Sequence, residues 1–70
     1  MKFNAEIYSN AGIQAAASTF ADFGTINVPG DAMDGYYDVN IVAADDVDQR
    51  DLEGEFGNFA FARSFDERTI

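Results

Sequence analysis

Two groups of aspartates have the residue types and spacing best able to do chemistry in this chain: Asp31, Asp34 and Asp38, then Asp45, Asp46, Asp48 and Asp51. Clustered carboxylate oxygens are what hard cations such as calcium bind. Neither group has the spacing of an EF-hand loop, with its central glycine and terminal glutamate. The second group sits where side-chain oxygens and negative charge favour a helix N-terminus, so no metal and no cofactor are expected. Paired carboxylates also cleave glycosides, but only across a sugar-sized cleft, and 70 residues can hardly wall one and keep a core. Ser9, Ser18 and Ser64 have no histidine to activate them, and the chain contains neither histidine nor cysteine. That removes the commonest general base and transition-metal ligand, thiol nucleophiles, redox pairs and disulfides. Tyr8, Tyr36 and Tyr37 read as strand packing. No catalytic residue is assigned and no enzyme is expected. What such a chain can offer is a recognition surface.

Thirteen acids face four bases, for a net charge of −9. A phosphate backbone is repelled, so nucleic acid is not an expected partner, and an anionic membrane surface is disfavoured in the same way. No apolar run approaches the ~20 residues of a membrane helix. The opening Met1-Lys2-Phe3-Asn4-Ala5-Glu6 lacks the apolar stretch of a secretory signal, which makes a cytoplasmic location the expectation. A basic peptide or basic protein face is the natural partner for this charge. The plainer alternative is charge that only maintains solubility. The bias towards aspartate and the single lysine, Lys2, also suit a high-salt cytoplasm.

The elements that must carry any such surface form one domain, residues 1–70. A chain of this length buries only roughly 60% of the surface its unfolded form exposes. Phe3, Ala5 and Ile7 alternate with Asn4, Glu6 and Tyr8, predicting a strand over Lys2 to Tyr8 with the first set facing the core. Ser9 or Asn10 caps a helix whose apolar face is Ile13, Ala16, Ala17, Phe20 and Phe23, and Gly24 ends it in a left-handed conformation. Thr25 to Val28 reads as a second strand, stopped by Pro29-Gly30 and followed by a polar loop, Asp31 to Gly35. Tyr37, Val39, Ile41 and Ala43 alternate with Tyr36, Asp38, Asn40 and Val42 in a third strand. A second helix runs from about Val47 to Ser64 with Leu52, Phe56, Phe59, Ala60 and Arg63 along one stripe, and Phe65 to Ile70 is expected to fray. The expected fold is therefore α+β, in the order β-α-β-β-α. It has a three-stranded mixed sheet, strand three preferred in the middle, and both helices on one face. Unpaired strand edges would be docking sites.

The second helix carries the candidate partner-binding residues: Asp51, Glu53, Gly54, Glu55, Gly57, Phe61 and Phe65. Gly54 and Gly57 each cost ~1 kcal/mol relative to alanine in a helix interior. They share a face and suit close approach by the protein's own sheet, a partner helix or a second copy of the chain. Asp51 and Glu55 are a like-charge pair one turn apart, and Glu53 adds to the acidity. Such a face is either simply solvated or made for a basic partner. Phe61 and Phe65, four apart, fall off the main stripe; they either wrap the core edge or form a contact with a dimer mate or another protein.

The segment Asp51-Leu52-Glu53-Gly54-Glu55-Phe56-Gly57-Asn58 is similar to the LEGEF-x-N pattern of HxsD-like proteins. Ile7-Tyr8-Ser9 followed by Ile13, Ala16 and Phe20 resembles that family's first strand and helix, and Tyr37 and Val39 fall where its central strand would lie. The resemblance implies a small protein of a His-Xaa-Ser peptide-maturation system, in which radical SAM enzymes modify a ribosomally made peptide. A non-catalytic accessory or adaptor, binding a protein or peptide partner of basic character, is the leading expectation. The alternative is a self-associating structural module, a homodimer formed through strand edges or the Gly54/Gly57 face.

Overall fold

The computed structural model of the chain describes residues 1–68. Its elements are β1 (Lys2–Asn4), α1 (Asn10–Thr19), a single 3-10 turn (Ala21–Phe23), β2 (Gly24–Asn27), β3 (Tyr36–Asp38), β4 (Asn40–Ala43) and α2 (Gln49–Arg68). The class is α+β, as expected. One core unites the elements: Phe3 and Ile41 from the strands, Val39 from the single residue between β3 and β4, Ile13 and Ala16 from α1, and Leu52, Phe56 and Ala60 from α2. Both helices thus cover the same strand faces, and Tyr36, Asp38, Asn40 and Val42 point away from them, exposed. Among the described residues no helix is long and apolar enough to cross a membrane.

The strands do not close into the expected three-stranded sheet. They form two two-stranded antiparallel sheets, β1 with β3 and β2 with β4. The predicted third strand is one extended stretch, 36–43, interrupted at Val39 and divided between two partners. Phe3 lies opposite Tyr37, and Ile26 lies opposite Ile41. Val39 and Met1 exchange both backbone hydrogen bonds at 2.7 Å and end the first ladder, and the second ladder begins only at Asn40. The physical cause is the shortness of β1. Asn4 Oδ1 accepts the Glu6 N–H at 2.9 Å, and the Asn4 carbonyl accepts from Ile7 and Tyr8. This local bonding turns the chain away from the strand. It also reverses the expected faces: Ile7 is 44% exposed, whereas Tyr8 packs edge-on against Phe3, ring centroids 4.8 Å apart.

In an extended chain the backbone groups of every second residue point to the same edge. Val39, Ile41 and Ala43 therefore present theirs on the side of Met1. Beyond Met1 that edge is filled by a side chain, since Gln49 Oε1 accepts the Ala43 N–H at 2.7 Å and Gln49 Nε2 donates to the Ile41 carbonyl at 2.8 Å. The carboxamide takes the place of a peptide group in a neighbouring strand. Gln49→Ala should lower stability by about 1 kcal/mol, because two edge groups lose partners that water only partly replaces. A lower urea midpoint at unchanged slope checks this, and an unchanged midpoint would contradict it.

The helices also depart from their predicted ends. The Ser9 side chain caps α1 by accepting the Gly12 N–H at 2.9 Å. That helix stops at Thr19, and Phe23 falls in the 3-10 turn, exposed rather than in the core. Gly24 is not left-handed: its φ is 171°, ordinary extended backbone at the start of β2. Glycine is needed there for room, since a Cβ would strike the Val42 carbonyl oxygen and lie 3.0 Å from the Ala43 Cα. The polar loop contains a tight hairpin instead: Met33 and Tyr36 bond each other around Asp34 and Gly35, at φ 55° and 85°. Asp48 Oδ1 caps α2 by accepting the Asp51 N–H at 2.9 Å. The helix continues through Phe65, where fraying was expected, to Arg68; the rest of the expected frayed end lies outside the described residues. The inward stripe runs Leu52, Phe56, Ala60 and Ser64, with Phe59 half-buried and Arg63 exposed.

Candidate partner-binding surface

The α2 backbone puts Asp51 and Glu55 one turn apart beside Leu52, on the flank that faces the 3-10 turn. Because α1 ends early, Phe20 and Phe23 come down beside that flank. Phe20 is held by three rings, Phe23, Phe56 and Phe59, at centroid distances of 6.1, 6.3 and 5.8 Å. The Ala44 N–H donates to the Phe23 carbonyl at 3.0 Å, which ties the turn to the end of β4. Between these parts lies an open groove of about 310 Å³ lined by Phe20, Phe23, Val47 and Leu52, with the Asp51 and Glu55 side chains beside them. Phe23 is 47% exposed. Among the described residues neither carboxylate is engaged in an ion pair; the one salt bridge joins the Met1 ammonium to Asp38 at 4.0 Å.

The other expected partner-binding residues are dispersed. Glu53 lies beside Gln49, whose Nε2 is 3.3 Å from its carboxylate. A Cβ on Gly54 would meet nothing within 4 Å, and one on Gly57 only the Met1 Cε at 3.9 Å. The protein's own sheet therefore does not pack on these glycines. Close approach occurs instead at Gly12, where a Cβ would stand 2.9 Å from the Ser64 nitrogen and 3.0 Å from the Ala60 carbonyl oxygen. Phe61 and Phe65 are exposed, and Tyr8 meets Phe61 edge-on at 5.9 Å. Six residues beyond Glu55, Phe61 lies on another side of the helix from the groove.

The structure brings two of the serines together. Ser64 is fully buried; its hydroxyl donates to the Ala60 carbonyl at 2.7 Å and accepts the Ser9 N–H at 2.8 Å. With its proton committed to a carbonyl, Ser64 joins the start of α1 to α2. Asp31, Asp34 and Asp38 do share a second hollow of about 270 Å³, with Lys2, Pro29, Met33 and Tyr36. Among the described residues no group of three or more acidic, histidine or cysteine side chains is arranged to hold a metal ion.

Sequence reasoning found the acidic pair but missed Phe23 and Val47 as its neighbours. Helical spacing put Phe23 in the core, and only the break after Thr19 moves it out. The chain is thus a small α+β domain with an apolar groove flanked by acids. No protein-family model, no curated protein and no solved structure matches it.

Proposed function

We propose that this protein is a non-catalytic accessory of a peptide-modification system, holding a basic peptide or a basic face of a maturation enzyme on the Asp51/Glu55 flank of α2. The observation that carries this reading is the groove, where an apolar floor lies beside two acids that make no ion pair among the described residues, on a chain of net charge −9. Buried apolar area supplies affinity to such a contact, and the charges supply steering and selectivity. The alternative route, a peptide strand added to a sheet edge, is disfavoured beside Ile41 and Ala43 because Gln49 already satisfies them.

The resemblance to HxsD-like proteins supports the same reading through Leu52 to Asn58. Leu52 and Phe56 of that segment are core residues, while Gly54 and Glu55 face outward. The pattern thus combines a packing requirement with an exposed acidic turn. Affinity capture with the tagged chain, from cells of its own host, should recover a radical SAM enzyme or a short ribosomally made precursor peptide. Recovery of neither would overturn the assignment.

A further inference from the structure

We infer that the groove between the 3-10 turn and α2 is built to take one arginine side chain of that basic partner. The inference rests on the accessory reading and makes it specific. At about 310 Å³ the groove is at the small end of ligand sites, room for one or two side chains rather than a helix face. Its lining is almost wholly apolar, Phe20, Phe23, Val47 and Leu52, and Asp51 and Glu55, one turn apart on α2, border it with hardly any polar surface turned inward, which leaves their charge for the mouth of the groove. An occupant matching both must be apolar along its length and cationic at its tip. Lysine and arginine have that form, burying their methylene stems while the head stays polar.

Arginine is favoured over lysine by Phe23. Its half-exposed ring offers a face on which a guanidinium stacks, and a guanidinium sheds its water more readily than an ammonium. The planar, multi-donor head also addresses two carboxylates at once. Asp51 and Glu55 are like charges at i, i+4, a pair that destabilises an isolated helix by ~0.2–0.5 kcal/mol. A bound guanidinium turns that repulsion into attraction, so the empty groove carries a built-in preference for a cation.

The test uses the full chain and three acetylated, amidated alanine-rich peptides that differ only at one central residue: arginine, lysine or citrulline. Binding is followed by NMR of backbone amides and aromatic side chains. The arginine peptide should shift Phe23, Val47, Leu52 and Glu55 together. The lysine peptide should bind several-fold more weakly, and the neutral citrulline peptide about tenfold or more weakly. Asp51→Asn combined with Glu55→Gln should weaken arginine binding by about tenfold, and the amide spectrum of the variant reports that its fold is kept. Glu6→Gln, at an exposed acid in the turn after β1, should leave binding unchanged. Raising salt from about 0.05 to 0.5 M should weaken binding as well.

Equal binding of the citrulline peptide overturns the inference, as does insensitivity to the Asp51/Glu55 double change. Shifts confined to the Asp31–Asp38 end, or to Phe61 and Phe65, also overturn the groove assignment but leave an acidic, peptide-binding accessory intact. Absence of shifts with every peptide overturns the groove, while the accessory reading is decided separately by the capture experiment.

Discussion

Phe56→Ala should leave the purified chain without a cooperative fold at room temperature. Phe56 is the largest fully buried side chain, 0% exposed, and its ring meets Phe3 at 5.8 Å and Phe20 at 6.3 Å. It is the point at which β1, the end of α1 and α2 touch one another. Removing a buried phenylalanine costs ~3–5 kcal/mol, the lost transfer energy plus the cavity left behind. A domain of this length has a total stability of only roughly 4–10 kcal/mol at typical values per residue, and a thin core places it towards the lower end. The loss is therefore comparable to the whole. Near-ultraviolet circular dichroism and a urea titration check it. Phe65→Ala is the control: that ring is 60% exposed, and its loss should move the midpoint by less than about 0.5 kcal/mol. A Phe56→Ala chain with a wild-type transition would mean that the core is not organised around this ring.

The same substitution made at two helical glycines should have opposite signs. In Gly12→Ala the new methyl would lie 2.9 Å from the Ser64 nitrogen, 3.0 Å from the Ala60 carbonyl oxygen and 2.5 Å from the Ser64 Oγ. Two of these atoms are backbone, and the third is held by hydrogen bonds to Ala60 and Ser9, so none can swing aside. Relief requires the two helices to separate, at ~1–3 kcal/mol, which outweighs the ~1 kcal/mol that alanine gains in helix propensity. In Gly54→Ala the methyl enters open space, and only the propensity gain remains. Urea midpoints should therefore fall for Gly12→Ala and rise for Gly54→Ala, by up to about 1 kcal/mol in the second case. Stabilisation by Gly12→Ala would show that α1 and α2 do not approach as closely as described.

What could be read before the structure was known is what depends on period alone. The alternation from Tyr36 to Ala43 survives as inward and outward faces even across the break at Val39, because an extended chain keeps its period of two wherever its partners lie. Leu52, Phe56 and Ala60 keep their helical stripe for the same reason. What could not be read depends on particular side chains binding backbone far from them in sequence or against the local trend. Asn4 bends the chain and exchanges the environments of Ile7 and Tyr8. Gln49, read only as a helical residue, reaches back to Ile41 and Ala43. Gly12 and Gly24 owe their lack of a side chain to neighbours 48 to 52 residues and 18 to 19 residues further along the chain. The acidic pair of the groove was visible from spacing. Its aromatic half was not, since it rests on where a helix gives way to a 3-10 turn.

The shared stretch 36–43 divides the backbone pairing of the molecule in two. Its first half is tied to β1 and its second half to β2, and no position is tied to both. β2 follows directly from Phe23, and its ladder partners all lie in the second half, from Asn40 to Ala43. Side-chain packing crosses that division: Phe20 of the groove and Phe3 of β1 rest on the same Phe56 ring, so an occupant that moves Phe20 is felt at the N-terminal strand.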